Sequence, residues 1–165
     1  EYAVSIHNGP IAVRYPRGSG KKQLAGTSEI SLGNGEKLLI GNDISVIAVG
    51  NMVEVALKAA NTLKLKGIDA EVINARFIKP LDARLIMESA AKTRLVATLE
   101  DNTVKGGFGS SVLELLNKNG LKIKTGIFGF PDKPVLHGTR KEIYEKYGLD
   151  ESSIINEIMK MLKNK

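Results

Sequence analysis

The stretch Ile44-Ser45-Val46-Ile47-Ala48-Val49, closed by Gly50, decides the fold. Its β-branched and almost continuously apolar composition is typical of a strand buried on both faces of a sheet. Residues 52–66 follow with apolar side chains at helical spacing, and Gly67 then supplies a helix stop. A buried strand, a short turn and an amphipathic helix predict the opening half of a βαβ unit.

The same alternation continues along the rest of the chain. Three further strands are predicted, over residues 70–77, 94–99 and 122–128. Helices are predicted over residues 83–92, 110–119, 139–147 and 151–164, and Asp82 is well placed to cap the first of these. Because right-handed βαβ units build parallel sheets, the predicted fold class is α/β: three layers, a mostly parallel sheet and helices on both faces.

The first 42 residues do not follow this pattern. The segment from Ile11 to Tyr15 has strand-like composition between a turn signal and Pro16, but a single strand has no partners. We therefore interpret residues 1–18 as the tail end of a preceding domain and residues 19–42 as an interdomain linker. This linker enters the next domain around Glu36, and the main domain is predicted to occupy residues 43–165. Since the chain does not begin with Met, we expect either that residues were trimmed from its start or that it is a piece of a longer protein.

Composition argues against several classes of function. There is no Cys, and the two histidines, His7 and His137, are far apart in sequence, so neither a disulfide nor a His-rich metal site is expected. Lys+Arg outnumber Asp+Glu by 24 to 18, but the lysines are scattered and do not alternate with aromatic residues, which argues against nucleic-acid binding. No apolar run approaches the ~20 residues that span a bilayer, so no membrane association is expected.

Two neighbouring features could carry chemistry near the third strand. The loop Gly106-Gly107-Phe108-Gly109-Ser110 precedes a predicted helix, whose N-terminus is a natural anion site. However, the sequence is not a recognised phosphate-binding motif, and the preceding Glu100-Asp101 would repel phosphate. We favour a packing role for the glycines, and a strand-end or helix-cap role for the two carboxylates.

Two further sites remain open from the residues alone. His137 lies in a loop with Pro and Gly and is either a proton shuttle or a hydrogen-bonding group at an interface, and Asp132 in the same loop is equally consistent with a turn. Arg14 and Arg17 flank Tyr15-Pro16 on a short, stiff segment. A guanidinium there suits a phosphate or carboxylate, because two parallel N–H groups match two oxygens, but an ordinary exposed arginine fits equally well.

Four motifs, in order, resemble one family. Residues 9–18 (Gly-Pro-Ile-Ala-Val-Arg-Tyr-Pro-Arg-Gly) resemble the segment that closes the pyrimidine-binding domain of the 1-deoxy-D-xylulose-5-phosphate synthases, which are transketolase-like thiamine-diphosphate enzymes. The other three are residues 74–82 (Asn-Ala-Arg-Phe-Ile-Lys-Pro-Leu-Asp), residues 99–102 with 106–110, and residues 129–132 with 137–138. Lys133-Pro134-Val135 departs from the aromatic and aliphatic residues that these synthases usually carry in that loop.

The resemblance implies a function for the whole enzyme. Members of that family condense pyruvate with glyceraldehyde 3-phosphate, using thiamine diphosphate and Mg²⁺, to supply isoprenoid and thiamine biosynthesis. It further implies a cytoplasmic homodimer in which the present domain packs against the N-terminal and pyrimidine-binding domains. In that family the arginine matching Arg14 helps to hold the sugar phosphate, so Arg14 is the predicted substrate-binding residue.

The resemblance also implies what this chain lacks. The diphosphate–magnesium site of the family uses a Gly-Asp-Gly segment followed by an Asn-Asn pair, and neither occurs in these 165 residues. No catalytic, cofactor-binding or metal-binding residue is therefore assigned, and the chain alone is expected to be inactive, with a structural or assembly role. Two alternatives stay open, because residues 79–82 and 106–109 also resemble pyruvate-dehydrogenase-type beta subunits: the C-terminal domain of such a subunit, or a free-standing interaction module.

Overall fold

The computed structural model describes residues 5, 9–13 and 30–163, and it divides the chain into two compact units, residues 1–31 and 32–165. All the elements named below belong to the second unit. Its strands are β1 (Glu36–Leu39), β2 (Ile44–Ala48), β3 (Ala70–Asn74), β4 (Leu95–Thr103) and β5 (Lys124–Phe130). Its helices are α1 (Met52–Leu65), α2 (Ala83–Thr93), α3 (Phe108–Lys118), α4 (Arg140–Tyr147) and α5 (Glu151–Lys163).

The five strands form one sheet in the order β1-β3-β2-β4-β5. Strands β3, β2, β4 and β5 run parallel, and β1 alone runs antiparallel to its neighbour β3. The chain thus moves from β2 to β3 on one side and returns across β2 to reach β4 on the other side. The predicted mostly parallel sheet is confirmed.

Helices cover both faces of the sheet, as predicted. On one face, α1, Tyr144 of α4 and α5 pack against a set that includes Ile44, Val46 and Ala48 of β2. On the other face, α2 and α3 pack against Ile47 and its neighbours. Since successive side chains of a strand point to opposite faces, β2 must be apolar along nearly its whole length, and all five of its residues are buried.

Several predicted boundaries shift for backbone reasons. The strand predicted over residues 70–77 ends at Asn74, because Arg76 adopts a left-handed conformation with φ of 56°. Arg94, predicted to begin the next strand, instead closes α2 as a left-handed cap, and its N–H donates to the carbonyl of Ala90. The predicted Asp82 cap is confirmed, since its carboxylate accepts from the backbone N–H of Leu85 at 2.9 Å.

Residues 36–39, assigned from the sequence to the end of the linker, form an edge strand of the sheet. The Arg76 guanidinium lies 2.6 Å from the carboxylate of Glu36 and ties β1 to the loop after β3. The second oxygen of Asp82 accepts from the backbone N–H of Gly35 at 3.0 Å. These contacts join the segment before residue 43 to the main domain. Residues 14–29 lie outside the described ranges, so a linker there stays a prediction.

A buried carboxylate joins β3, β1 and α2, and sequence reasoning missed it. The side chain of Glu71 is fully buried. Its carboxylate accepts a hydrogen bond from the hydroxyl of Ser89 and one from the ammonium of Lys92, the latter at 2.5 Å, and the ammonium of Lys37 lies 3.1 Å away. Hydroxyl groups extend the network into the core, since Ser45 of β2 lies 2.5 Å from Ser89 and 2.8 Å from Thr93. Every polar group of this cluster is thus paired, as burial requires.

The partners of Glu71 determine its ionisation. Burial pushes its pKa upward, but the hydrogen bonds from Lys92, Ser89 and Lys37 together outweigh burial, and the pKa lies below its usual value. The carboxylate is therefore charged in the folded state and stabilises it. The two lysine side chains keep about a third of their surface exposed, so solvent screens part of this attraction.

We expect Glu71→Gln to lower the free energy of unfolding by about 1–3 kcal/mol, because a neutral amide leaves two lysines without their buried counter-charge. The measurement is chemical denaturation at neutral pH. The matched control is Glu88→Gln, which removes an exposed i,i+4 pair with Arg84 on α2 and is expected to change stability by less than about 0.5 kcal/mol. Equal effects of the two substitutions would contradict the stabilising role of the buried Glu71 carboxylate.

The Glu71 contribution also predicts a pH dependence. Because the folded pKa lies below the ordinary value of 4.5, the stabilisation is complete above that pH and is lost as the pH falls through the lowered folded value. The stability difference between the wild-type chain and Glu71→Gln is therefore expected to shrink below about pH 4.5. Denaturation curves of both proteins from pH 3 to pH 7 would check this, and a constant difference would count against it.

Candidate functional site at the carboxyl edge of the sheet

The carboxyl ends of β2 and β4 meet where the order of the parallel strands reverses. In open α/β sheets, ligands bind in the crevice at such a point. Here Asn51, at the start of α1, donates from its side-chain amide to the carboxylate of Asp101 at 3.1 Å. A direct side-chain bridge therefore spans this edge of the sheet.

Glu100 caps α3 from outside the helix. Its side chain is 1% exposed, and its two oxygens accept from the backbone N–H groups of Phe108 at 2.8 Å and Gly109 at 2.9 Å. A carboxylate at this place neutralises the positive end of the helix dipole and satisfies two otherwise unpaired donors. The helix N-terminus is thus already filled by a protein anion, in agreement with the predicted cap role.

The glycines of the loop allow this close approach. A Cβ at Gly107 would overlap the Glu100 carboxylate and the carbonyl of Thr103, and a Cβ at Gly109 would overlap Ile127 and the hydroxyl of Thr98. Both glycines are therefore needed for packing α3 onto β4 and β5. The structure supports the packing interpretation of residues 106–110 over an anion site.

A shallow cleft of about 520 Å³ lies between the ends of β4 and β5. Its walls come from residues 101–103 on one side and residues 130–135 on the other. Phe130 packs edge-to-face on Tyr147 at 5.4 Å between ring centroids and lies 6.4 Å from Tyr144. Asp132 pairs at 3.1 Å with Lys105 at the exposed rim. The lining of the cleft thus combines polar and charged side chains with the ring of Phe130.

Tyr144 is the buried polar residue beneath this edge, and sequence reasoning missed it. Its ring is 8% exposed, and in the described part of the chain its hydroxyl makes no hydrogen bond of good geometry. Burial above all, and then the neighbouring negative charge of Asp101, raise the pKa of Tyr144 far above its usual value. The hydroxyl is therefore held in its protonated form even more firmly than that of an exposed tyrosine.

The structure places His137 in an exposed loop. None of the described residues exchanges a hydrogen bond with its ring, and both the proton-shuttle role and the interface role stay predictions. The loop is tied down nearby, because the backbone N–H of Leu136 donates to the Tyr147 hydroxyl at 3.4 Å. Thr139 and Glu142 then form a capping box that begins α4.

The predicted substrate-binding residue, Arg14, lies outside the described residues together with Arg17, so its role stays a prediction. In the described ranges, no three His, Cys, Asp or Glu side chains cluster as a metal site would require. The same ranges contain no helix that is both long and apolar enough to cross a membrane.

We expect Glu100→Gln to destabilise the chain by about 2 kcal/mol, because it removes the charge at the α3 dipole and one of two charge-assisted hydrogen bonds. Thermal and denaturant unfolding measure this effect. Glu114→Gln, on the exposed face of the same helix, is the control and should leave the free energy of unfolding almost unchanged. If Glu100→Gln left the free energy of unfolding unchanged, the cap would be ruled out as a stabilising interaction.

Comparison with known proteins agrees with this geometry. Residues 33–154, well over half of the chain, match the family model described as "Transketolase, C-terminal domain". The chain is similar to a split-gene transketolase solved as an inactive beta4 tetramer, with a TM-score of 0.78 and 34% identity over 82% of this chain and 44% of that one.

Several relatives in sequence are 1-deoxy-D-xylulose-5-phosphate synthases. A 1-deoxy-D-xylulose-5-phosphate synthase of Caldanaerobacter subterraneus subsp. tengcongensis is 45% identical over 155 residues, 93% of this chain and 25% of that protein. The synthase of Desulfotalea psychrophila is 45% identical over 163 residues, 95% of this chain and 25% of that protein. The chain thus spans about a quarter of the length of these relatives. On the strength of the family match and the fold, the chain belongs to the transketolase C-terminal domain family.

Proposed function

We propose that this chain is the C-terminal portion of a thiamine-diphosphate-dependent synthase, which condenses pyruvate with glyceraldehyde 3-phosphate to 1-deoxy-D-xylulose 5-phosphate. The observation that carries the proposal is 45% identity, over more than nine tenths of the chain, to proteins named as that synthase. The role of the present residues in it is structural, and the enzyme is a cytoplasmic transferase of isoprenoid and thiamine biosynthesis.

The cofactor groups do not fit on this chain. Its sequence has neither the Gly-Asp-Gly segment nor the Asn-Asn pair. Among the residues that the structure describes at the carboxyl edge, Glu100 is the one wholly buried carboxylate, and it is committed to two backbone N–H groups. We therefore assign thiamine diphosphate and Mg²⁺ to the preceding domains, where the cofactor supplies carbanion-stabilising chemistry. The packed α/β domain alone is accordingly inactive.

Arg14 is the residue of this chain that we propose to contact substrate. It lies on the segment that resembles the end of the pyrimidine-binding domain, which we place at residues 1–18. A guanidinium there binds the phosphate of glyceraldehyde 3-phosphate through two parallel N–H groups. Residues 19–42 then lead into the C-terminal domain, and β1 anchors the end of that segment on the sheet.

The proposal predicts the behaviour of two proteins. The 165-residue chain should not consume pyruvate with thiamine diphosphate and Mg²⁺. A longer polypeptide that adds the Gly-Asp-Gly and pyrimidine-binding domains should form the condensation product. Carbon dioxide release and product formation measure both reactions, and activity of the short chain would overturn the assignment.

In the longer polypeptide, Arg14→Lys is expected to raise the KM for glyceraldehyde 3-phosphate about tenfold or more and leave the KM for pyruvate unchanged, since an ammonium cannot make the paired contact. Arg84→Lys, at an exposed pair on α2, is the control. Equal effects on both substrates would argue against a phosphate contact.

One comparison favours an alternative. The split-gene transketolase chain that resembles this one forms an inactive tetramer of beta chains. A chain with this domain can therefore belong to an enzyme whose cofactor domain is a separate polypeptide, as in pyruvate-dehydrogenase-type beta subunits. Finding the Gly-Asp-Gly domain on a separate chain would favour that subunit, and finding no such partner would favour a free-standing interaction module.

A further inference from the structure

The sequence has three Asn-Gly pairs, and the structure describes two of them in full: Asn34-Gly35 before β1 and Asn119-Gly120 after α3. In such a pair the backbone nitrogen of the glycine can attack the side-chain amide carbon of the asparagine, because glycine has no side chain to shield that nitrogen. Ammonia then leaves and a five-membered succinimide ring forms. Each pair is therefore a candidate for spontaneous modification, and the local structure decides whether the ring can close.

The end of α3 keeps the two reacting groups of Asn119-Gly120 apart. The side-chain amide of Asn119 donates to the carbonyl of Leu115 at 2.8 Å, and the backbone N–H of Gly120 donates to the carbonyl of Asn117 at 3.0 Å. The ψ angle of Asn119 is 13°, which turns the Gly120 nitrogen away from the Asn119 side chain. Ring closure at this pair therefore requires the last turn of α3 to open.

Asn34-Gly35 is held in a different way, through the glycine nitrogen. Asn34 is exposed, and none of the described residues forms a hydrogen bond with its side-chain amide. The backbone N–H of Gly35, in contrast, donates to one oxygen of the Asp82 carboxylate at 3.0 Å. The glycine is also closely packed, since a Cβ there would lie 3.1 Å from a methyl group of Leu85 and 3.2 Å from the carbonyl oxygen of Asn74. The attacking nitrogen is thus fixed, whereas the group that it would attack is not.

The Asp82 carboxylate opposes the reaction in two ways. The Gly35 nitrogen must lose its proton before it attacks, and a negative charge beside it disfavours the amide anion. A charge-assisted hydrogen bond also fixes the direction of the N–H group. Asp82 is itself held in place, because its other oxygen accepts from the backbone N–H of Leu85 and caps α2. The same side chain therefore begins a helix and blocks a nucleophile.

We propose that Asn34 is a site of spontaneous deamidation whose rate is controlled by the hydrogen bond between Gly35 and Asp82. In the reaction the Gly35 nitrogen gives its proton to a base from solvent and forms a bond to the side-chain amide carbon of Asn34. The bond from that carbon to the amide nitrogen breaks, and the nitrogen leaves as ammonia. Water then opens the succinimide at either carbonyl, which gives aspartate or isoaspartate at position 34.

The products change the attachment of β1. An isoaspartate at position 34 adds one carbon to the main chain directly before the strand, and either product places a new negative charge two residues before Glu36. Glu36 pairs with Arg76 at 2.6 Å, and Gly35 is bonded to Asp82, so the modification shifts the start of β1 against its partners in the loop after β3. The site thus links chemical ageing of the chain to a weaker hold on its edge strand.

The test follows deamidation of the 165-residue chain at mildly alkaline pH, by mass spectrometry of its peptides. Asp82→Ser keeps a hydroxyl that can cap α2, but its single, shorter side-chain oxygen cannot also serve Gly35. We expect the rate at Asn34 to rise about tenfold or more in this variant, because a hydrogen bond to a charged group is lost. The rate at Asn119 is the internal control and should not change. An unchanged or lower rate at Asn34, or an equal rise at Asn119, would overturn the proposal.

A second comparison keeps the test decisive if Asp82→Ser does not fold. A synthetic peptide of residues 31–38 contains the same Asn-Gly pair without the Asp82 contact. Asn34 in the folded wild-type chain should react about tenfold or more slowly than in the peptide, since β1 must first detach. Equal rates would reject the proposal. Neither measurement involves cofactor or substrate, so the result is independent of the proposed reaction.

Discussion

Burial of β2 on both faces and along both edges is the constraint on which the rest of the domain depends. With β3 on one side, β4 on the other and a helix layer on each face, this strand has no contact with solvent. Its side chains must therefore be apolar or fully paired, and Ser45, its one polar residue, is paired with hydroxyls of α2. That pairing continues to Glu71 and its lysines. The interior of the domain thus connects directly to the attachment of β1.

Polar groups are also paired within the domain at the carboxyl edge of the sheet, where other α/β domains bind their ligands. Glu100 occupies the N-terminus of α3, Gly107 and Gly109 let that helix approach, and Asp101 bridges to Asn51. The motif at residues 99–102 and 106–110 is therefore explained here by packing. The Glu100 carboxylate is already engaged with two backbone N–H groups of α3, and the Asp101 carboxylate with the side-chain amide of Asn51.

Much of the fold could be predicted from the hydrophobic periodicity of the sequence. The buried run at residues 44–49, the helical spacing after it and the Asp82 cap were sufficient to predict the parallel sheet and its two helix layers. Local backbone effects were not predictable, since a left-handed Arg76 or Arg94 has no signal in hydrophobic pattern. β1 was assigned to a linker because four residues paired to a distant strand show no period of their own. Glu71 and Tyr144 were missed because their partners lie on other elements, and the residues that carry Arg14 lie outside the described ranges.

We propose that this chain contributes architecture and that the cofactor belongs to other domains. Calorimetric titration of thiamine diphosphate with Mg²⁺ into the 165-residue chain tests it most directly. A longer polypeptide that includes the Gly-Asp-Gly domain serves as the positive control. The account predicts no saturable binding to the short chain and stoichiometric binding to the longer one. Saturable binding near one cofactor per short chain would contradict it.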